Sequence, residues 1–236
     1  MHVVFGPDNY RDWNFCFWCL KKLSNLKKLT FILFFLFFGN IFAQKIIERN
    51  FNASEITSIE INSDVIYHIK ITSRNTEQIK IKTQVEGENY ENVVLGIIEE
   101  NNTLHIKTSF TPFFEAKNDK LAAHKVISIE MELIVPESMA IKIEASIASV
   151  EIFGKYESIS ALLENGNCLM NNFMGDALLK TKQGFIKVYA LEETFGTAVS
   201  KKGIVVNELS KSNIKSLKYR IEAESFKGNI SLFQIH

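Results

Sequence analysis

The chain has 236 residues, 46% of them hydrophobic and only 3 proline, with 27 basic and 27 acidic side chains and a formal net charge of zero. That length and apolar content suffice to bury one sizeable core, and the neutral balance supplies no basic excess for phosphate, so nucleic acid is not an expected partner. Much of the phenylalanine lies before residue 43, so the apolar content is divided between two unlike regions.

The first region has the order of an export signal. Lys21, Lys22, Lys27 and Lys28 precede the apolar run Leu29 to Phe38 (LTFILFFLFF), and Gly39 to Ala43 (GNIFA) ends on a small residue before Gln44. Ile41, two positions before Ala43, is larger than is usual there. The run is much shorter than the roughly 20 residues of a spanning helix, so cleavage after Ala43 is expected, with no permanent membrane span afterwards. Residues 1–20 make the charged region unusually long and are read as an N-terminal extension, with initiation nearer Leu20 or Leu23. Cys16 and Cys19 form a lone C-x-x-C that leaves with this segment. Cys168 remains, and no lipid-attachment cysteine follows the apolar run. The remaining chain, 44–236, is slightly acidic and is expected to form a single soluble, exported domain.

Alternating runs begin soon after. Ile56 to Ile61, Val65 to Ile71, Ile79 to Thr83, Val93 to Ile98 and Thr103 to Lys107 read as strands, with turns at Asn62 to Asp64 and Ser73 to Glu77 and a hairpin turn at Glu99 to Asn102. Ser109 to Lys125 (SFTPFFEAKNDKLAAHK) breaks the alternation and is the best loop candidate, carrying Phe110, Phe113 and Phe114. Alternation resumes over Ile127 to Val135, and Pro136 ends it because proline cannot donate to a strand ladder.

From Ile141 to Leu232 one phrase recurs: a small lead residue, then apolar residues two and four positions later. The copies are Ala148 to Ile152, Gly166 to Met170, Gly184 to Val188, Gly203 to Asn207 and Gly228 to Leu232, with leads 18, 18, 19 and 25 positions apart. Small or apolar residues also stand five and three positions before each lead, with mostly polar residues between. Period-two alternation at this interval predicts an all-β, single-domain β-solenoid of parallel stacked coils of about 18–19 residues, with regular repeats over 141–233 and less regular strands over 50–135. The inward columns are Val150, Cys168, Ile186, Val205, Ile230 and Ile152, Met170, Val188, Asn207, Leu232. A buried Asn207 needs a hydrogen-bond partner. Positive φ at the turn is the expected reason for lead glycine.

On these features the chain resembles the exported putative-adhesin families of β-strand-repeat proteins, including those called GIN-domain adhesin heads. The matching features are the signal peptide, the irregular strand-rich first half, the strand ending in Val135-Pro136, and the phrases at Gly166, Gly184, Gly203 and Gly228. The resemblance covers about residues 50–233. It implies a β-solenoid at the cell envelope of a bacterium and carries no catalytic residues, the family having no agreed activity. Ala148 at a lead position and the last interval, stretched by Ser210 to Leu217, depart from the pattern.

Chemical signatures are missing from the sequence: there is no G-x-S-x-G, H-E-x-x-H, phosphate-binding loop or G-x-G-x-x-G. His68, His105, His124 and His236 stand singly, without metal-ligand spacing. No catalytic residue, metal or cofactor is therefore expected. Two features could carry binding. Lys180, Lys182, Lys201 and Lys202 are expected on the outer face of adjacent coils, either as a basic patch for an anionic glycan or lipid headgroup, or as a solvated face with Glu164 pairing Lys182 across one coil. Phe110, Phe113 and Phe114 form either an exposed aromatic platform or a plug over one end of the strands. The reading is a non-enzymatic, adhesin-like envelope or surface module with an unknown protein or glycan ligand. The alternatives are a carbohydrate-active enzyme on the same scaffold and a structural envelope component.

Overall fold

Alternation has become strand along most of the chain. The computed structural model describes residues 44–87, 90–112, 128–191, 194–209 and 218–235, all within one compact unit of residues 43–236. The described chain opens with β1 (Gln44–Asn52), β2 (Ser58–Ser63), β3 (His68–Arg74) and β4 (Gln78–Glu86). A 3-10 turn at Tyr90–Asn92 leads into the hairpin β5 (Val93–Glu100) and β6 (Thr103–Phe110). Its turn residues Asn101 and Asn102 have φ of 51° and 60°, the left-handed pair that a two-residue hairpin needs. Next come β7 (Ser128–Pro136), β8 (Ala140–Ala145), β9 (Ser149–Asn165), β10 (Cys168–Gln183) and β11 (Ile186–Ala190). The last four are β12 (Thr194–Ser200), β13 (Val205–Asn207), β14 (Tyr219–Lys227) and β15 (Ile230–Gln234). The expected strands fall on β2 to β7, and Pro136 is the last residue of its strand; β1 was not expected.

The 15 strands among the described residues belong to one mixed sheet, whose pairings trace two ladders. The first runs β5, β6, β2, β8, β9, β10, β14, β12, and the second β1, β4, β7, β3, β9, β10, β11, β15, β13. The long strands β9 and β10 serve both, each crossing from the second ladder to the first at a glycine with positive φ, Gly154 (106°) and Gly175 (143°). Every pairing is parallel except β1 with β4, β4 with β7 and β5 with β6, which are antiparallel and lie together at one end.

Most inward residues of both ladders form one buried cluster. One column runs Met131, Ile69, Val150, Cys168, Ile186, Ile230, Val205 through successive parallel pairings. A fully buried side chain of this kind contributes roughly 1.5–3 kcal/mol relative to exposure. Asn207 ends its column half-buried and satisfied: its Nδ2 donates to the Gly196 carbonyl at 2.8 Å, and its Oδ1 accepts from Leu209 N–H at 3.0 Å.

The order of strands in space differs from their order in the chain at both ends. The segment β2–β3 lies between β6–β7, which follows it in sequence, and β8–β9. At the other end β14–β15 inserts between β10–β11 and β12–β13. The lead residues therefore stack as Ala148, Gly166, Gly184, Gly228, Gly203. This stacking, more than φ, explains the glycines, and it corrects the sequence expectation. Of the lead glycines only Gly184 has positive φ (143°), whereas a Cβ on Gly166, Gly184, Gly228 or Gly203 would overlap the carbonyl of the lead residue in the strand pair beneath it. Hydroxyls line the same turns: Thr181, Ser225 and Ser200 donate to the carbonyls of Gly166, Gly184 and Gly228 at 3.2, 3.4 and 2.8 Å.

Candidate functional site

Where inward positions hold the core together, outward positions of the first ladder are free to make a surface. A shallow groove of about 660 Å³ crosses its outer face over β2, β8, β9, β10, β14 and β12. Six strands at about 4.8 Å spacing give it a length of about 24 Å. Its floor and walls include Leu162, Glu164, Lys180, Lys182, Val199 and Phe226. A second cavity of about 430 Å³, lined by Lys182, Gln183, Phe226 and Lys227, lies around the same phenylalanine.

The groove charges are largely matched. Lys180 pairs with Glu224 at 3.0 Å, and Lys182 pairs with Glu164. Glu144, which lines the far end, pairs with Lys142 (2.9 Å), and beyond the groove Lys142 also reaches Glu60 (2.7 Å), with His105 Nδ1 3.0 Å from Glu60. The hydrogen bond from Lys142 is the main reason the Glu60 carboxyl is held below its ordinary value, and the same carboxylates raise the Lys142 ammonium above its own. His68 faces Glu151 at 3.6 Å on the second ladder. These histidines are parts of strand-face charge ladders. Among the described residues no group of three or more His, Cys, Asp or Glu is arranged to hold a metal ion.

The four lysines singled out in the sequence divide into two kinds. Lys180 and Lys182 lie on β10 and are ion-paired, the Lys182–Glu164 contact being the one expected from the 18-residue offset. Lys201 and Lys202 follow β12 and are not on the adjacent strand, because β14 inserts between β10 and β12. Their ammonium groups lie 5.4 and 5.5 Å from the centroid of the Phe226 ring, which is 48% exposed. Phe110 ends β6, half-buried and packed against the core. Phe113 and Phe114 lie outside the described residues, as do the export segment and Ser210 to Leu217.

Sequence reasoning missed Leu162, Val199 and Phe226 as site residues. Each stands at an outward register position where neighbouring strands carry charge, and an apolar residue out of phase with the core was the available signal. On the second ladder a similar departure gives Tyr189 and Phe233, stacked at 5.4 Å with Lys187 over both rings. Cys168 is buried, and burial pushes its thiol up to about 12, so it acts as a small core hydrophobe.

No family model and no curated protein sequence matches the chain. Among solved structures it is similar to a putative cell adhesion protein from Clostridium sporogenes ATCC 15579, with a TM-score of 0.62 and 13% identity over 81% of this chain and 100% of that one. A putative adhesin from Bacteroides fragilis NCTC 9343 aligns with a TM-score of 0.37 and 13% identity, over 81% of this chain and 97% of that one. One from Parabacteroides distasonis ATCC 8503 gives a TM-score of 0.31 and 9% identity over the same shares, 81% and 97%. The first of these establishes a shared fold. Among the described residues no helix is long and apolar enough to cross a membrane.

Proposed function

We infer that the chain is an exported, single-domain β-solenoid that works as a non-enzymatic, adhesin-like binding module at the bacterial cell envelope, after removal of residues 1–43. The observation that carries this reading is the groove: about 24 Å of outward strand face, mixed in charge and apolar along its floor, suited to an extended ligand lying across the strands. The parallel ladders and the repeat of about 18 residues support the solenoid. The fold shared with a protein described as a putative cell adhesion protein supports the adhesin-like role and, with the sequence of residues 21–43, the surface address.

The groove carboxylates argue in the same direction. A glycosidic general acid needs a carboxyl kept protonated by apolar surroundings. Glu164 and Glu224 are instead half-exposed and each paired with a lysine, not set in an apolar pocket.

The test is capture. Protein purified from its producing cells, immobilised and challenged with intact envelopes, is expected to retain a defined component, and Leu162→Glu in the groove floor is expected to release it while circular dichroism stays unchanged. Equal retention by the two proteins, or none by either, overturns the reading.

A further inference from the structure

The groove has one end where the charge matching stops. Lys201 and Lys202 make no ion pair with any carboxylate among the described residues, and neither does Lys227, the last residue of β14. All three flank Phe226, where the 660 and 430 Å³ cavities meet, and Lys182 adjoins them. The Phe226 ring attracts both the Lys201 and the Lys202 ammonium groups, which lie within 5.5 Å of its centroid and pair with no carboxylate among the described residues. Surface lysines normally spread into solvent or find a carboxylate, as Lys180, Lys142 and Lys70 do on the outward faces of these ladders. Here two cations share one aromatic ring and a third lines the cavity beside it, none of them matched by a carboxylate among the described residues.

We propose that this cluster is an anion subsite and that the groove ligand is an acidic polysaccharide, with an acidic group of the chain at Lys201, Lys202 and Lys227 and the sugar backbone running over Leu162 and Val199. The proposal rests on the binding reading above and names its ligand class. Three features select a chain over a flat anionic surface. The groove crosses six strands, so a linear polymer can use its whole length. Its other charges alternate, and Glu164, Glu224 and Glu144 would face an anionic bilayer with the wrong sign, while sugar hydroxyls can bond to either sign of neighbour. The exposed apolar floor suits the C–H faces of sugar rings. Lysine point charges, with no arginine fork in the cluster, suit an acidic group presented in varied orientations along a chain.

The experiment is calorimetric titration of the purified protein with oligogalacturonate, alginate and dextran sulfate, against neutral dextran and methyl-esterified oligogalacturonate, and against phosphatidylglycerol vesicles. Binding is expected for at least one acidic glycan, with weakening as salt rises, and for neither neutral glycan nor vesicles. K201E/K202E is expected to lower affinity by about tenfold or more, the loss of two charge-assisted contacts. Lys80→Glu on the second ladder leaves it unchanged, and circular dichroism and melting report whether each variant is folded. Phe226→Leu, which keeps apolar bulk but loses the ring, should give a partial loss. Equal binding of neutral and acidic glycans, or vesicle binding alone, overturns the acidic-glycan assignment. If no acidic glycan binds while envelope capture still depends on Leu162, the ligand class is wrong and the binding reading survives.

Discussion

The two ends of the strand stack are built from the same kind of insertion but finished differently. At one end β2–β3 slips inside β6–β7, and antiparallel β5, β4 and β1 then cover the outer edges. At the other end β14–β15 slips inside β12–β13, and β12 and β13 are the outermost strands of their ladders among the described residues. The consequence is visible at equivalent positions. Val150, Cys168, Ile186 and Ile230 share one inward column and are at most 1% exposed, while Val205 in that same column is 39% exposed. Burial here comes from having a neighbour on both sides, so identical phrases in the sequence have unequal weight in the fold.

The largest expected effect sharpens that contrast. Ile186→Asp would bury an unpaired carboxylate between Cys168 and Ile230 and should cost about 3–5 kcal/mol in urea denaturation. Val205→Asp leaves its carboxylate partly in water and should cost under about 1.5 kcal/mol. Similar losses at the two sites would mean that the uncovered end is as well packed as the middle.

How far such positions can be read from sequence follows from what the phrase encodes. The offset of 18 is enough to pair Cys168 with Val150 and with Ile186, and to place Lys182 beside Glu164. The insertion of β14–β15 was not legible, because the last three copies each present a lead glycine and a β-branched inward residue to their neighbours, so Ile230 suits either Ile186 or Val205 and in the fold pairs with both. The groove was hidden for the same reason. Lys180 and Glu224 are 44 positions apart and meet only because β14 lies beside β10. Phe226 comes between Lys182 and Lys201 by that same displacement.

The second prediction concerns the glycines. A Cβ on Gly184 or Gly203 meets a carbonyl carbon and oxygen of the adjoining strand pair, and backbone cannot rotate away as a flexible side chain can. Gly184 has a strand pair on each side and positive φ, so Gly184→Ala should cost about 2–4 kcal/mol. Gly203 belongs to the outermost pair, which can shift outward, and Gly203→Ala should cost about half as much. Equal costs would show that β13 is held as firmly as β11.

A gain is expected at the covered end. Thr83 on β4 is fully buried, and its Oγ1 has no hydrogen-bond partner among the described residues. Thr83→Val replaces that hydroxyl by a methyl group of the same shape and should stabilise by about 1 kcal/mol. A loss of stability would mean that the hydroxyl has a partner in solution.

The smallest effect is one of pH, and it too belongs to the covered end. Glu60 on β2 is shared by Lys142 on β8 and His105 on β6, so one carboxylate ties three neighbouring strands, with Glu144 competing for Lys142. The hydrogen bond from Lys142 lowers the Glu60 carboxyl from its ordinary 4.5. A carboxyl whose value is lower in the folded protein stabilises it at pH above the unfolded value and loses that contribution as pH falls through the folded one. Stability should therefore decline below about pH 4.5, with solvent screening keeping the share of this partly exposed pair under about 1 kcal/mol. Glu60→Gln removes the titrating group and should flatten that part of the acid limb while leaving the cost of Val205→Asp unchanged. If the acid limbs of the two proteins coincide, the three-strand tie contributes nothing measurable, and the covering antiparallel strands alone account for the firmness of that end.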